Sequence, residues 1–108
     1  MLSEISPTAL HAWLEDTTRP APYLLDVRED WEFAHCHLAN SQLMPMHTVP
    51  LQMNKLPDDV PLVVICHHGV RSYQVGQYLV QAGFGEVLSL AGGVAAWADQ
   101  VDPGMPRY

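Results

Sequence analysis

The stretch Leu62-Val63-Val64-Ile65-Cys66-His67-His68-Gly69-Val70-Arg71-Ser72 constrains the fold more than any other part of the chain. Leu62 to Ile65 is a short, uncharged run, rich in β-branched residues, that stops at a cysteine. Consecutive apolar residues with no polar alternation describe a strand covered on both faces, as in a parallel sheet. Val70 to Gln81 then carries helix-forming residues and ends just before Gly83, which suits the C′ position of a helix. Cys66 therefore falls at the C-terminal edge of a strand and shortly before a helix N-terminus. Open α/β sheets place their ligands at that edge. Unpaired backbone N–H groups there can hold an anion, and a thiolate is an anion.

The rest of the chain alternates in the same way. Ser6 is a candidate N-cap with Pro7 at the first helical position, and Ala9, Leu10, Trp13 and Leu14 form a helical stripe. Thr17 to Pro22 ends that helix. Tyr23 to Val27 is a buried strand, with Asp26 and Arg28 at its C-terminal edge. Glu29 to His35 predicts a short helix with Trp31 and Phe33 or Ala34 on its apolar side. Gln42 to Met44 predicts a strand cut short by Pro45. Thr48, a candidate cap, opens a helix to about Leu56, and Pro57-Asp58-Asp59 is a turn. Glu86 to Leu90 predicts a further strand. Ala91-Gly92-Gly93 is a tight turn, and Val94 to Ala98 opens a last helix carrying Trp97. Trp13, Trp31 and Trp97 read as packing residues. Val101 to Tyr108, with two prolines and a glycine, is expected to run extended over the surface. Strands alternating with helices imply right-handed crossovers, an α/β fold and a parallel sheet with helices on both faces. A single domain over residues 1–108 is expected, without repeat or linker.

Apolar content of 48% with 16% charged residues describes a globular chain. No apolar run approaches the ~20 residues that span a bilayer. Met1-Leu2-Ser3-Glu4 lacks the basic and apolar regions of a signal peptide, so a cytoplasmic location is expected. Five basic against twelve acidic residues give a net charge of −7, which argues against nucleic acid or an anionic membrane as partner. A small anionic substrate would depend on Arg71 and on backbone dipoles. Cys36 and Cys66 are too few for a disulfide framework, and the expected compartment is reducing. Four of the six histidines flank the two cysteines, as His35-Cys36-His37 and Cys66-His67-His68. Adjacent residues seldom converge on one ion, so no metal is expected, and Cys36 reads as a packed thiol.

A free thiol is mostly protonated at neutral pH. The loop after Cys66 offers three features that favour the thiolate. The helix dipole places partial positive charge near the sulfur. Successive N–H groups from about His67 to Ser72 can curl into an anion-binding nest, which Gly69 permits. Arg71 adds a permanent cation with a planar fork suited to oxyanions. No general base is then required, and His67 and His68 read as polar loop residues. Asp26 beside Arg28 reads as an ion-paired brace.

Cys66-x-x-Gly69-x-Arg71-Ser72 resembles the active-site loop of the rhodanese sulfurtransferase family. Leu25-Asp26-Val27-Arg28 resembles that family's Asp-x-Arg element. Glu32 with His37-Leu38, and Leu90-Ala91-Gly92-Gly93-Val94-Ala95-Ala96-Trp97, resemble two further segments in the same order. The resemblance covers nearly the whole chain. It implies a parallel five-stranded sheet and a thiosulfate sulfurtransferase-like reaction without a cofactor. Cys66 would take the outer sulfur of a small anionic donor such as thiosulfate and hold it as a persulfide. A thiophilic acceptor, cyanide or a small or protein thiol, would then remove it. His67, His68, Gly69, Val70, Arg71 and Ser72 would bind the substrate, and Asp26 and Arg28 would support the loop. Related cysteine phosphatases carry one more residue between cysteine and arginine, so six residues from Cys66 to Arg71 favour sulfur over phosphate. The paired histidines stand where some thiosulfate enzymes have Arg or Lys, and Cys36 stands where the family often has glycine. Two other readings stay open: a sulfur carrier loaded by a partner enzyme, and a small cysteine phosphatase.

Overall fold

Leu62, Val63, Val64 and Ile65 are all fully buried and form the strand β4 (Leu62–Ile65) at the centre of the sheet. The computed structural model describes residues 2–108. In chain order the other elements are β1 (Leu2–Ile5), α1 (Pro7–Glu15), β2 (Tyr23–Asp26), α2 (Asp30–His35), β3 (Gln42–Leu43), α3 (Val49–Gln52), α4 (Val70–Gln81), β5 (Val87–Leu90) and α5 (Gly93–Gln100). The strands lie in the order β1-β5-β4-β2-β3, and every pairing is parallel.

Alternate residues of β4 serve two cores. Val63 and Ile65 pack with Leu10 and Trp13 of α1 and Val94 and Trp97 of α5. Leu62 and Val64 pack with Val49 of α3 and Val75 and Leu79 of α4. Each such aliphatic side chain stabilises the fold by about 1.5–3 kcal/mol through burial. Helices thus cover both faces, and the α/β expectation holds. Helix α4 spans Val70–Gln81 as its sequence predicts, with Gly83 at φ +107° just beyond it.

The structure departs from the sequence reading in five places. Leu2–Ile5, to which the apolar pattern assigns no element, is the fifth strand: it pairs in parallel with β5 along Leu2↔Val87 to Ile5↔Leu90. It is an edge strand of the sheet, Ser3 and Glu4 are exposed, and no apolar run marks it. Strand β3 ends at Leu43, one residue early, because Pro45 follows closely. The segment 46–55 is not one helix but a turn of α-helix between two 3₁₀ turns. Pro50 withholds a donor there, and Thr48 Oγ1 donates to Pro45 O at 2.7 Å instead of capping. On α2, Glu32 is the buried residue and Trp31 is 64% exposed. The segment after α5 does not simply lie on the surface: Met105 is buried in the α1–α5 core.

No described helix is long and apolar enough to cross a membrane.

Candidate active site

The register sets Asp26 of β2 beside Ile65 of β4, so the two strands end flush. The chain leaves β2 towards β3 and leaves β4 towards β5, on opposite sides, which makes their shared end a topological switch point. Cys66 stands there, 1% exposed. Its Sγ accepts from the N–H of Gly69 at 3.0 Å and of Ser72 at 3.3 Å. Ser72 Oγ lies 3.4 Å from the sulfur and pairs with Ser89 Oγ of β5 at 2.7 Å. Gly69 makes the curl possible, with φ +100°, a value that side chains rarely tolerate.

The other side of the loop rests on α5. The carbonyls of Cys66 and His67 accept from the N–H groups of Val94 (2.9 Å) and Ala95 (3.1 Å). Gly93 allows this approach, because a Cβ there would collide with both carbonyls. The loop therefore lies between two helix N-termini. That of α4 faces the sulfur, and that of α5 satisfies the loop carbonyls. An anion on Sγ gains from the first and does not compete with the second.

Arg28 is wholly buried, and its guanidinium is fully engaged. Nε and Nη2 donate to the Asp26 carboxylate at 2.9 and 2.7 Å, and Nη2 also donates to Cys36 O at 2.6 Å. Nη1 donates to Glu32 O at 3.3 Å and to the Tyr108 hydroxyl at 2.9 Å. Burial works against the cation, but the bonds to Asp26 and Tyr108 outweigh it and hold the pKa above the ordinary arginine value.

Arg71 closes a second pair on the loop side. Its Nη1 and Nη2 donate to Glu32 Oε1 and Oε2 at 2.7 and 2.9 Å. Glu32 also accepts the Glu29 N–H at 2.9 Å and the Tyr108 hydroxyl at 2.8 Å. These bonds, Arg71's first, hold the Glu32 pKa at about 2 despite burial. The same pair raises the Arg71 pKa. Burial is the main cause that pushes the Tyr108 phenol up to about 12, so its proton stays on at neutral pH.

Three rings adjoin along the loop, His67 stacked on Tyr108 and tilted against His68. His67 lies 3.9 Å from His68 and 3.8 Å from Tyr108, the latter pair within 10° of parallel. Burial first, and His68 second, hold the His67 imidazole pKa below the ordinary histidine value. A cavity of about 130 Å³ opens beside the stack, walled by Cys36, His67, His68, Val94 and Tyr108. Both cysteines are free thiols. Cys36 is buried, and Arg28 Nη1 lies 3.9 Å from its sulfur. His35 Nε2 meets Arg107 O, and His37 Nδ1 meets Phe33 O. Among the described residues no three metal-ligating side chains gather closely enough to hold an ion.

The structure thus brings Cys66, Gly69 and Ser72 together at the sulfur. His67 and His68 lie ring against ring at a 32° tilt on the loop, and Val70 is 65% exposed. Arg71 meets Glu32, and Arg28, paired with Asp26, is linked to the loop through Tyr108 and Glu32. The sequence does not mark Glu32, Ser89 or Tyr108 as site residues. Ser89 left a trace as the one polar residue within Val87–Leu90. Glu32 left one as a motif residue, and Tyr108 left none.

A protein-family model described as a rhodanese-like domain matches residues 6–100. A sulfurtransferase from Allochromatium vinosum is 40% identical over 98 residues, 91% of this chain and 90% of the relative. The thiosulfate sulfurtransferase GlpE of Coxiella burnetii is 35% identical over 88 residues, 82% of this chain and 81% of the relative. The crystal structure of a rhodanese-like domain protein from Staphylococcus aureus superposes with a TM-score of 0.83 at 29% identity, covering 98% of both chains.

Proposed function

The chain belongs to the rhodanese-like domain family, and from that premise we propose that it is a sulfurtransferase working through a Cys66 persulfide. One observation carries the reading: the Gly69 and Ser72 N–H groups converge on Sγ at the N-terminus of α4, where they favour a negatively charged sulfur. The thiolate attacks the outer sulfur of thiosulfate. The donor's S–S bond breaks, sulfite leaves with the bonding pair, and the sulfane sulfur remains on Cys66. An acceptor thiolate or cyanide then attacks the outer persulfide sulfur, and the Cys66 thiolate is restored. A ring of six residues from Cys66 to Arg71 fits one added sulfur and disfavours phosphate-ester hydrolysis.

Incubation of the reduced protein with thiosulfate should add one sulfur atom to the intact mass. Cyanide should remove it as thiocyanate, and Cys66→Ser should abolish the gain. Hydrolysis of an aryl phosphate with no persulfide would overturn the reading. One observation favours a carrier as second reading: the Arg71 fork is already occupied by Glu32, so a dianionic donor meets a cation that is largely neutralised. A sulfur delivered from a partner's persulfide needs no such cation. Loading by a cysteine desulfurase but not by thiosulfate would select the carrier.

A further inference from the structure

We infer that Tyr108 is a positioning residue for the Cys66 loop, a clamp from outside the loop that engages both its second residue, His67, and its last, Arg71. The inference rests on the reading of that loop as the sulfur site. The ring supplies one arm, stacked on His67, which in turn lies on His68. The hydroxyl supplies the other. Arg28 can only donate and Glu32, ionised, can only accept, so the hydroxyl order is fixed as Arg28 to Tyr108 to Glu32. Glu32 then takes both Nη groups of Arg71.

Tyr108 is 37% exposed, and neighbouring rings bound the sides that solvent does not. Trp31 and His35 meet it edge-on, with centroids 5.6 and 5.5 Å away. Three residues back, Met105 is anchored in the core. Two ends of one loop thereby meet one side chain, His67 directly and Arg71 through Glu32. The buried Asp26–Arg28 pair reaches the loop through this hydroxyl.

The two arms separate by substitution. Tyr108→Phe keeps the stack and leaves Glu32 Oε2 with Arg71 alone. Tyr108→Ala removes both arms. Two measurements are made on each: the thiosulfate concentration that half-loads Cys66, read by intact mass, and the iodoacetamide alkylation rates of Cys66 and Cys36, read by peptide mapping without donor. Tyr78→Phe on the outer part of α4 serves as control. Tyr108→Phe should raise the half-loading concentration about 3–10-fold, the range for the net contribution of one typical hydrogen bond, because Glu32 keeps both of its bonds to Arg71, with loading still reaching one sulfur per chain. Tyr108→Ala should raise it further and alkylate Cys66 about tenfold faster through local opening of the loop, a larger gain than at Cys36, which lines the cavity beside Tyr108.

A purely structural role predicts a smaller loaded fraction at an unchanged midpoint, with both cysteines alkylated in step, and that result would overturn the inference. So would a Tyr108→Ala protein that matches wild type in both measurements. Failure of the wild type to load from thiosulfate counts against the donor reading, and the Cys66 alkylation rate still decides the role of Tyr108.

Discussion

Two guanidinium–carboxylate pairs lie within one network and differ chiefly in burial. Arg28–Asp26 is 0% exposed on both sides. Arg71–Glu32 has its arginine 33% exposed and its acid 5% exposed. Both are bidentate, yet their surroundings assign them different work. Every side-chain nitrogen of Arg28 is engaged: Nε and Nη2 hold Asp26 at the end of β2, Nη2 and Nη1 reach the carbonyls of Cys36 and Glu32, and Nη1 also meets the Tyr108 hydroxyl. Arg71 is the last residue of the Cys66 loop, and its guanidinium bonds a carboxylate set from outside the loop. A pair buried on all sides fixes architecture, whereas a pair half open to solvent at a loop can exchange its partner for a ligand.

The sharpest break in that contrast is Arg28→Ala. It leaves the Asp26 carboxylate uncompensated in the core and should cost about 3–5 kcal/mol in urea unfolding. Converting the pair to Asp26→Leu with Arg28→Met should recover part of the loss, because the penalty comes from the orphaned charge. Unfolding data that place Arg28→Ala within 1 kcal/mol of wild type would mean that the site is more hydrated than its burial indicates. Arg71→Ala should invert the balance. Its stability cost should be about 1–2 kcal/mol, discounted for solvent exposure, while sulfur loading at low thiosulfate should fall roughly tenfold or more. Equal stability losses for the two arginines would erase the distinction.

The legible parts of the fold and site are those whose signals are local. Leu62 to Gln81 reads directly, because apolar run, cysteine, glycine and helical pattern lie within twenty residues and each agrees with the next. Leu2–Ile5 does not, because an edge strand paired on one side needs no continuous apolar run. Trp31 misleads for a related reason: α2 has only six residues, too few for periodicity to overrule the assumption that tryptophan is inside. Partner choice is the least legible. Arg71 finds Glu32 across 39 positions and Tyr108 finds Glu32 across 76, and nothing near either residue announces the pairing. Sequence places Arg71 beside the sulfur and leaves it free to meet a substrate. The fold gives it a carboxylate first.

Acid sharpens the comparison from the Glu32 side. In the folded state its pKa lies at about 2, below the ordinary value of 4.5. A depressed carboxylate pKa means that the unfolded chain binds the proton more readily. The stabilisation is therefore complete above pH 4.5 and is lost as pH falls through 2. Glu32→Gln should lower thermal stability at neutral pH, and its deficit against wild type should shrink as both are acidified through that window. A deficit that stays constant between pH 5 and pH 2 would mean that Glu32 contributes through shape and not through charge.

The smallest effect belongs to a third pair, Arg107–Asp99, whose side chains are 52% and 65% exposed. Exposed pairs gain little in water, lose side-chain entropy and are screened by salt. Asp99→Ala should change stability by less than about 0.5 kcal/mol, and the difference should vanish by 1 M salt. Arg107 is nonetheless the neighbour of Tyr108, and its carbonyl accepts from His35 Nε2. If the backbone contact to His35 and the buried Met105 hold the segment, Asp99→Ala leaves the half-loading thiosulfate concentration of Cys66 where it is. If the surface pair holds it instead, Asp99→Ala shifts that concentration in the direction of Tyr108→Ala with no matching loss of stability. A side-by-side loading titration of the two variants separates these cases. It also decides whether an exposed ion pair can matter to a site through position when it contributes almost nothing to the fold.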